Sequence, residues 1–153
     1  MIDINSPAPD FTLPRDDGDP VTLSALKGAP VVLFFYPRDN TPGCTKEAIG
    51  FTAAKADFDA AGAHVFGLSK DSLESHAKFR TKKELGISLL SDEDSDISEA
   101  YGVWKEKNMY GKKFWGIERS TFLIDADGNL ARIWRKVKVD GHVEEVLEAV
   151  KAL

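Results

Sequence analysis

Residues 30–36 read PVVLFFY, an unbroken apolar run rich in β-branched and aromatic side chains. Alternate residues of a strand point to opposite faces, so a strand with no polar face must be covered on both sides. The run therefore predicts a central strand, and a chain that contains one must supply a layer of structure above and below its sheet.

The rest of the chain supplies those layers. Phe11 to Leu13 and Val21 to Leu23 flank PRDDGDP, whose Pro, Asp and Gly favour a turn, which predicts an N-terminal β-hairpin. After PRDNTPG, Cys44 to Ala61 carries Ala48, Phe51 and Phe58 at helical spacing, and Gly62 stops it. AHVFGLS predicts a second buried strand, Ser72 to Leu85 a helix ending at Gly86, Ile87 to Leu90 a third strand, and SDISEAYG a short helix. STFLID, the turn DADGN and Leu130 to Val137 predict a hairpin, and His142 to Leu153 a final helix with Val143, Val146, Leu147 and Val150 on one face. This order predicts an α/β, thioredoxin-like fold: a mixed central sheet flanked by helices, with an N-terminal β-hairpin, as a single domain over residues 1–153.

Composition narrows the class. Apolar residues make up 42% and charged residues 29%, which suits a soluble globular domain and not a disordered chain. The net charge is −5, so no nucleic-acid or anionic-membrane partner is expected. MIDINSPAPDF has neither a basic nor an apolar leader region, and no stretch has the length of a membrane span, so the expected compartment is the cytoplasm. The histidines, at 64, 76 and 142, have no metal-site spacing, and the acidic run SDEDSD lacks the Gly and Glu of a calcium loop. No metal and no cofactor are expected.

The chain has one cysteine, Cys44, in NTPGCTKEAIG. Thr41 suits a helix N-cap and Pro42 the first helical position, which puts Gly43 and Cys44 in a first turn whose N–H groups lack intrahelical partners and favour a thiolate. The bland reading is a buried, inert filler. Against it, Cys44 follows the carboxyl end of the central strand, where open α/β folds bind ligands. Thr41, one turn earlier, is either a simple cap or a hydroxyl facing whatever sits at the sulfur. Arg119 precedes STFLID, and at the mouth of a strand beside the first it would lie near the helix start; the alternative is a surface salt bridge to Glu118 or Glu47.

Pro37, Thr41 and Cys44 in PRDNTPGC fit the spacing of Pro, three residues, Thr, two residues, Cys that marks peroxiredoxins, and GIERSTFLID supplies the Arg of their active site. The likeness runs from APDFTL through KNMYGKKFWGIERSTFLID to the last helix, and the chain resembles the bacterioferritin comigratory protein, or peroxiredoxin Q, branch. The resemblance implies a thiol peroxidase acting on hydrogen peroxide and organic hydroperoxides. Cys44 would attack a peroxide oxygen and become a sulfenic acid. Arg119, Thr41 and the N–H groups of Gly43 and Cys44 would stabilise the transferring charge, and Pro37 would shield the sulfur. A monomer is usual in that branch. Ionisation alone is too small an effect: a thiol of pKa about 8.5 is roughly 3% ionised at pH 7, so full ionisation gains only about 30-fold. Alignment of the peroxide must supply the rest.

Many members of the branch carry a resolving cysteine five residues after the first; here that place is Ile49, and no second thiol exists. The expected cycle therefore uses an external thiol: thioredoxin, glutaredoxin or glutathione. A non-turnover redox sensor signalling through Cys44 oxidation is the competing reading. A thioredoxin-like oxidoreductase is disfavoured, because Thr41 stands where the first cysteine of Cys-x-x-Cys would be. The segment KEKNMYGKKFWG, Lys105 to Gly116, has no core periodicity and reads as a loop over the active-site side or as a docking surface for the reductant or another subunit.

Overall fold

The computed structural model of the protein describes residues 2–153. The N-terminal hairpin pairs β1 (Thr12–Arg15) with β2 (Gly18–Thr22), with Leu13 opposite Val21, and runs into a 3-10 turn at Leu23–Leu26. The apolar run forms β3 (Val31–Phe35). Then come α1 (Pro42–Ala53), α2 (Lys55–Ala60), β4 (His64–Ser69), α3 (Leu73–Lys83), β5 (Ser88–Ser91) and α4 (Ile97–Ala100). The chain continues through β6 (Trp104–Met109), β7 (Lys112–Ile117), β8 (Ser120–Ile124), β9 (Leu130–Trp134) and α5 (His142–Lys151).

Among the described residues, seven strands form one mixed sheet in the order β2-β1-β5-β4-β3-β8-β9. β3, β4 and β5 are parallel neighbours, whereas β8 and β9 pair antiparallel. The sheet explains the unbroken apolar run. Val31, Leu33 and Phe35 face one core with Phe11, Leu13, Tyr101 and Phe122, while Val32, Phe34 and Tyr36 face the other with Phe51, Phe58, Phe79 and Val146. The second face is covered by α1, α2, α3 and α5; the first is covered by α4, the 3-10 turn and the base of β6 and β7. Phe34 stacks on Phe51 with centroids 4.5 Å apart, which ties the central strand to the helix that follows it. No described helix is long and apolar enough to cross a membrane.

Two local expectations need correction. The single helix over Cys44 to Ala61 is two, α1 and α2, parted at Ala54, although TAAKAD contains no breaker residue. The segment Lys105 to Gly116 is not a loop. It is a two-stranded antiparallel hairpin outside the main sheet, β6 with β7, turning at Tyr110 (φ 53°) and Gly111 (φ 80°). Positive φ at both central residues matches the twist of a two-residue hairpin turn. Most of its side chains are exposed, Tyr110 at 99%, so neither strand shows the apolar alternation that would have disclosed it.

Gly67 in β4 gives the fold a sharp test. A Cβ there would lie 2.7 Å from Phe34 Cζ and 3.0 Å from Leu89 Cδ2, inside a core with no room to move. Gly67→Ala is expected to lower stability by about 1–3 kcal/mol in urea unfolding; an unchanged midpoint would mean that this packing is wrong.

Candidate active site

β3 delivers the chain into the loop Pro37–Thr41, and α1 begins at Pro42 with Thr41 as N-cap in extended backbone. The first helical bond runs from Thr45 N–H to Thr41 C=O (2.8 Å), so the N–H groups of Gly43 and Cys44 precede the α-helical ladder. The Thr41 hydroxyl makes no side-chain cap. It donates to the Arg38 carbonyl (2.9 Å), which leaves its oxygen lone pairs free to accept. Cys44 is 1% exposed, and Pro37 and Gly43 are half-buried.

Arg119 reaches this helix start through the sheet. Antiparallel pairing sets Phe35, the last residue of β3, opposite Ser120, the first of β8, so the residue before Ser120 emerges where the chain leaves β3. Its Nη2 lies 3.4 Å from Cys44 Sγ and its Nη1 donates to Glu47 Oε1 at 2.8 Å. The surface-bridge alternative is therefore half right: Arg119 does pair with Glu47, but the carboxylate is fully buried. Gly43 makes the approach possible, because a Cβ there would lie 2.9 Å from Nη2.

Glu47 is the residue that sequence reasoning undervalued. It sits three residues after Cys44, on the same face of α1, and that spacing was its available signal. Burial pushes its carboxyl up and Arg119 pulls it back, leaving it at about 7. Its Oε2 has no hydrogen-bond partner. For Arg119, burial acts downward, and the neighbouring Cys44 and Glu47 outweigh it and hold the guanidinium above its ordinary value. The site thus sets one cation against a sulfur and a carboxyl.

The surroundings complete the picture. Lys107 on β6 donates to the Ile117 carbonyl, and burial together with Arg119 lowers its affinity for the proton, so this face of the hairpin borders the site. On that face Lys105 pairs with Gly116, Lys107 with Phe114 and Met109 with Lys112. The histidines are dispersed: His64 is exposed on β4, His142 hydrogen-bonds Thr121 (2.8 Å), and His76 is buried against Asp39. Asp39, Asp71 and His76 bring one metal-ligating atom each within 4.8 Å of one another. Asp39 Oδ2 already accepts from Ser75, Asp71 Oδ2 from Ser69, and both ring nitrogens of His76 are engaged.

A thioredoxin-like sheet with a cysteine at a helix start, faced by an arginine from the adjoining strand, defines a class of thiol-based redox proteins. The chain matches the AhpC/TSA family over residues 4–133, and it belongs to that family. It is 49% identical over 150 residues to peroxiredoxin Bcp of Bacillus subtilis, covering 98% of this chain and 96% of that protein. A solved structure of the Xanthomonas campestris bacterioferritin comigratory protein, described for its alkyl peroxide reduction, superposes with TM-score 0.90 at 45% identity, covering 98% of each chain. A yeast mitochondrial one-cysteine peroxiredoxin, described for thiol resolution through glutathione and thioredoxin systems, superposes with TM-score 0.84 at 26% identity, covering 99% of this chain and 76% of that one.

The elevated Glu47 carboxyl predicts a pH-dependent fold. An acid whose folded pKa (about 7) exceeds its unfolded value (about 4.3) stabilises the fold below the unfolded pKa, and that stability is lost as pH rises through 7. Glu47→Gln does not titrate, so its stability relative to wild type should rise between pH 5 and pH 8, by roughly 2–4 kcal/mol at most. Urea unfolding at the two pH values reads this; a pH-independent difference contradicts the assignment.

Proposed function

We propose that the protein is a thiol-dependent hydroperoxide reductase, acting on hydrogen peroxide and organic hydroperoxides through a one-cysteine cycle. The observation that carries this reading is the 3.4 Å approach of Arg119 Nη2 to Cys44 Sγ at the start of α1. The Cys44 thiolate attacks the peroxide oxygen that bears hydrogen; an S–O bond forms, the O–O bond breaks, and the departing oxygen takes back from solvent the proton that the thiol released on ionising, leaving as water or alcohol. Cys44 is oxidised to the sulfenic acid as the peroxide is reduced. Arg119 faces the sulfur before attack and the charge growing on the leaving oxygen during it. The Thr41 oxygen, its own proton given to Arg38, accepts from the peroxide O–H and aligns it. The N–H groups of Gly43 and Cys44 add donors, and Pro37 keeps bulk water away from the sulfur.

The second half of the cycle comes from outside. Ile49 follows Cys44 by five residues, about 140° around the helix, and it is 45% exposed while Cys44 is 1% exposed. Even a thiol at position 49 would point away from the site in this helix. We infer that an external thiol, from glutathione, glutaredoxin or thioredoxin, attacks the sulfenic sulfur and releases water, and a second thiol frees Cys44 as a disulfide leaves. A reducing cytoplasm supplies such thiols, and the protein acts there as a monomer in this reading.

Peroxide consumption with thioredoxin, or with glutathione plus glutaredoxin, tests the reading: wild type should turn over many equivalents and Cys44→Ser none. Consumption that ends after one equivalent with every reductant would favour a sensor instead. Arg119→Met should react about 100- to 1,000-fold more slowly with peroxide, even at a pH where its thiol is fully ionised. Rescue by high pH would show that Arg119 acts only on ionisation. A sulfenic acid awaiting an outside thiol also meets more peroxide, so sulfinic acid should accumulate on Cys44 with peroxide dose when reductant is withheld. Its absence by mass spectrometry at high dose would contradict the one-cysteine cycle.

A further inference from the structure

We propose that Asp39, clamped by a buried imidazolium at His76, is a positioning residue that sets the loop carrying Thr41 and the start of α1. The inference rests on the peroxidase reading and adds to it a residue that does not touch the sulfur. Asp39 lies at the middle of Pro37–Thr41, and its side chain is only 4% exposed. Its Oδ1 accepts from the Tyr36 hydroxyl (2.6 Å), and its Oδ2 accepts from Ser75 Oγ (2.8 Å) and faces His76 Nδ1 at 2.7 Å. Its backbone N–H donates to Asp71 Oδ2 (2.8 Å), which also accepts from Ser69 Oγ (2.6 Å). One loop residue is thus tied to the carboxyl ends of β3 and β4 and to α3.

Hydrogen-bond bookkeeping at His76 defines its charge. Nε2 faces the Leu90 carbonyl at 2.8 Å, which can only accept, so Nε2 carries a proton. Nδ1 faces a carboxylate that already takes two hydroxyl protons, so it too donates. A fully buried ring with two acceptors is an imidazolium, and Asp39 is its counter-ion. Such a buried pair adds little net stability over an apolar replacement, so its effect is to be sought in geometry.

The geometry it controls is that of the loop. Asn40, next to Asp39, sits at φ 61°, in the left-handed region that asparagine adopts more readily than other non-glycine residues, so the chain reverses direction there. The Asp39 clamp holds one side of this reversal, and the Thr41 hydroxyl bond to Arg38 closes the other. If Asp39 slips, Arg38–Thr41 is free to relax, and the Thr41 oxygen leaves the place from which, in the peroxidase reading, it aligns the peroxide. Alkylation of an already ionised thiol needs only access to the sulfur; alignment of a peroxide needs the loop as well.

The test separates these two. Rates of Cys44 oxidation by peroxide and of alkylation by iodoacetamide are measured at a pH where alkylation has reached its plateau, for wild type, Asp39→Asn and Ser75→Ala. Asp39→Asn should lose about 10- to 100-fold in peroxide rate with alkylation unchanged within about twofold, since displacement of an aligning group by an ångström costs on that order. Ser75→Ala, which removes one bond to the carboxylate and keeps the charge pair, should lose about threefold to tenfold in the same ratio. A folded Asp39→Asn protein with wild-type peroxide rate overturns the proposal, and so does an equal fall in both rates. Should Asp39→Asn not fold, Ser75→Ala decides alone: an unaltered ratio overturns the proposal. Failure of wild type itself to consume peroxide through Cys44 would instead overturn the peroxidase reading.

Discussion

The antiparallel register of β3 and β8 is the constraint on which the site depends. Phe35 opposite Ser120 brings Arg119 to the end of the sheet where α1 starts, joining residues 75 positions apart in the chain. The register is held by burial: every residue of β3 and β8 is buried, and a one-residue slip would exchange the two cores. The most buried part of the molecule is therefore what fixes the most reactive part, and the distance between guanidinium and sulfur is a property of the core.

Electrostatics then divides the labour at the site. Arg119 is shared between a sulfur and the buried carboxyl of Glu47, while Gly43 leaves the space in which the guanidinium lies. Holding a cation in place with a buried carboxyl has a cost, visible in the elevated proton affinity of Glu47. Donors fixed before the reaction need not reorganise as charge moves, which is where preorganised sites gain their rate. In the loop before α1, Asp39 faces His76 at 2.7 Å, a second buried polar contact in the segment that leads to the thiol.

Much of this was legible in the chain. The run PVVLFFY identified the central strand, glycines and prolines marked the ends of most elements, and the spacing of Pro37, Thr41 and Cys44 with the distant Arg119 pointed to the site. What escaped was what periodicity does not encode. The β6–β7 hairpin buries too little to alternate, and its turn is marked only by Tyr110 and Gly111. Glu47 looks like an ordinary surface residue of a helix until the fold covers it. Asp39 and His76, 37 positions apart, meet only because β3 and α3 pack together.

The central claim is that alignment by fixed donors, more than ionisation of the thiol, makes Cys44 reactive. Its most direct measurement is the second-order rate constant for peroxide oxidation of Cys44, compared with that of a small free thiol at a pH where both are fully ionised. The account predicts that Cys44 stays faster by about a thousandfold or more, because Arg119 and Thr41 act after the proton has gone. Equal rates under those conditions would contradict it.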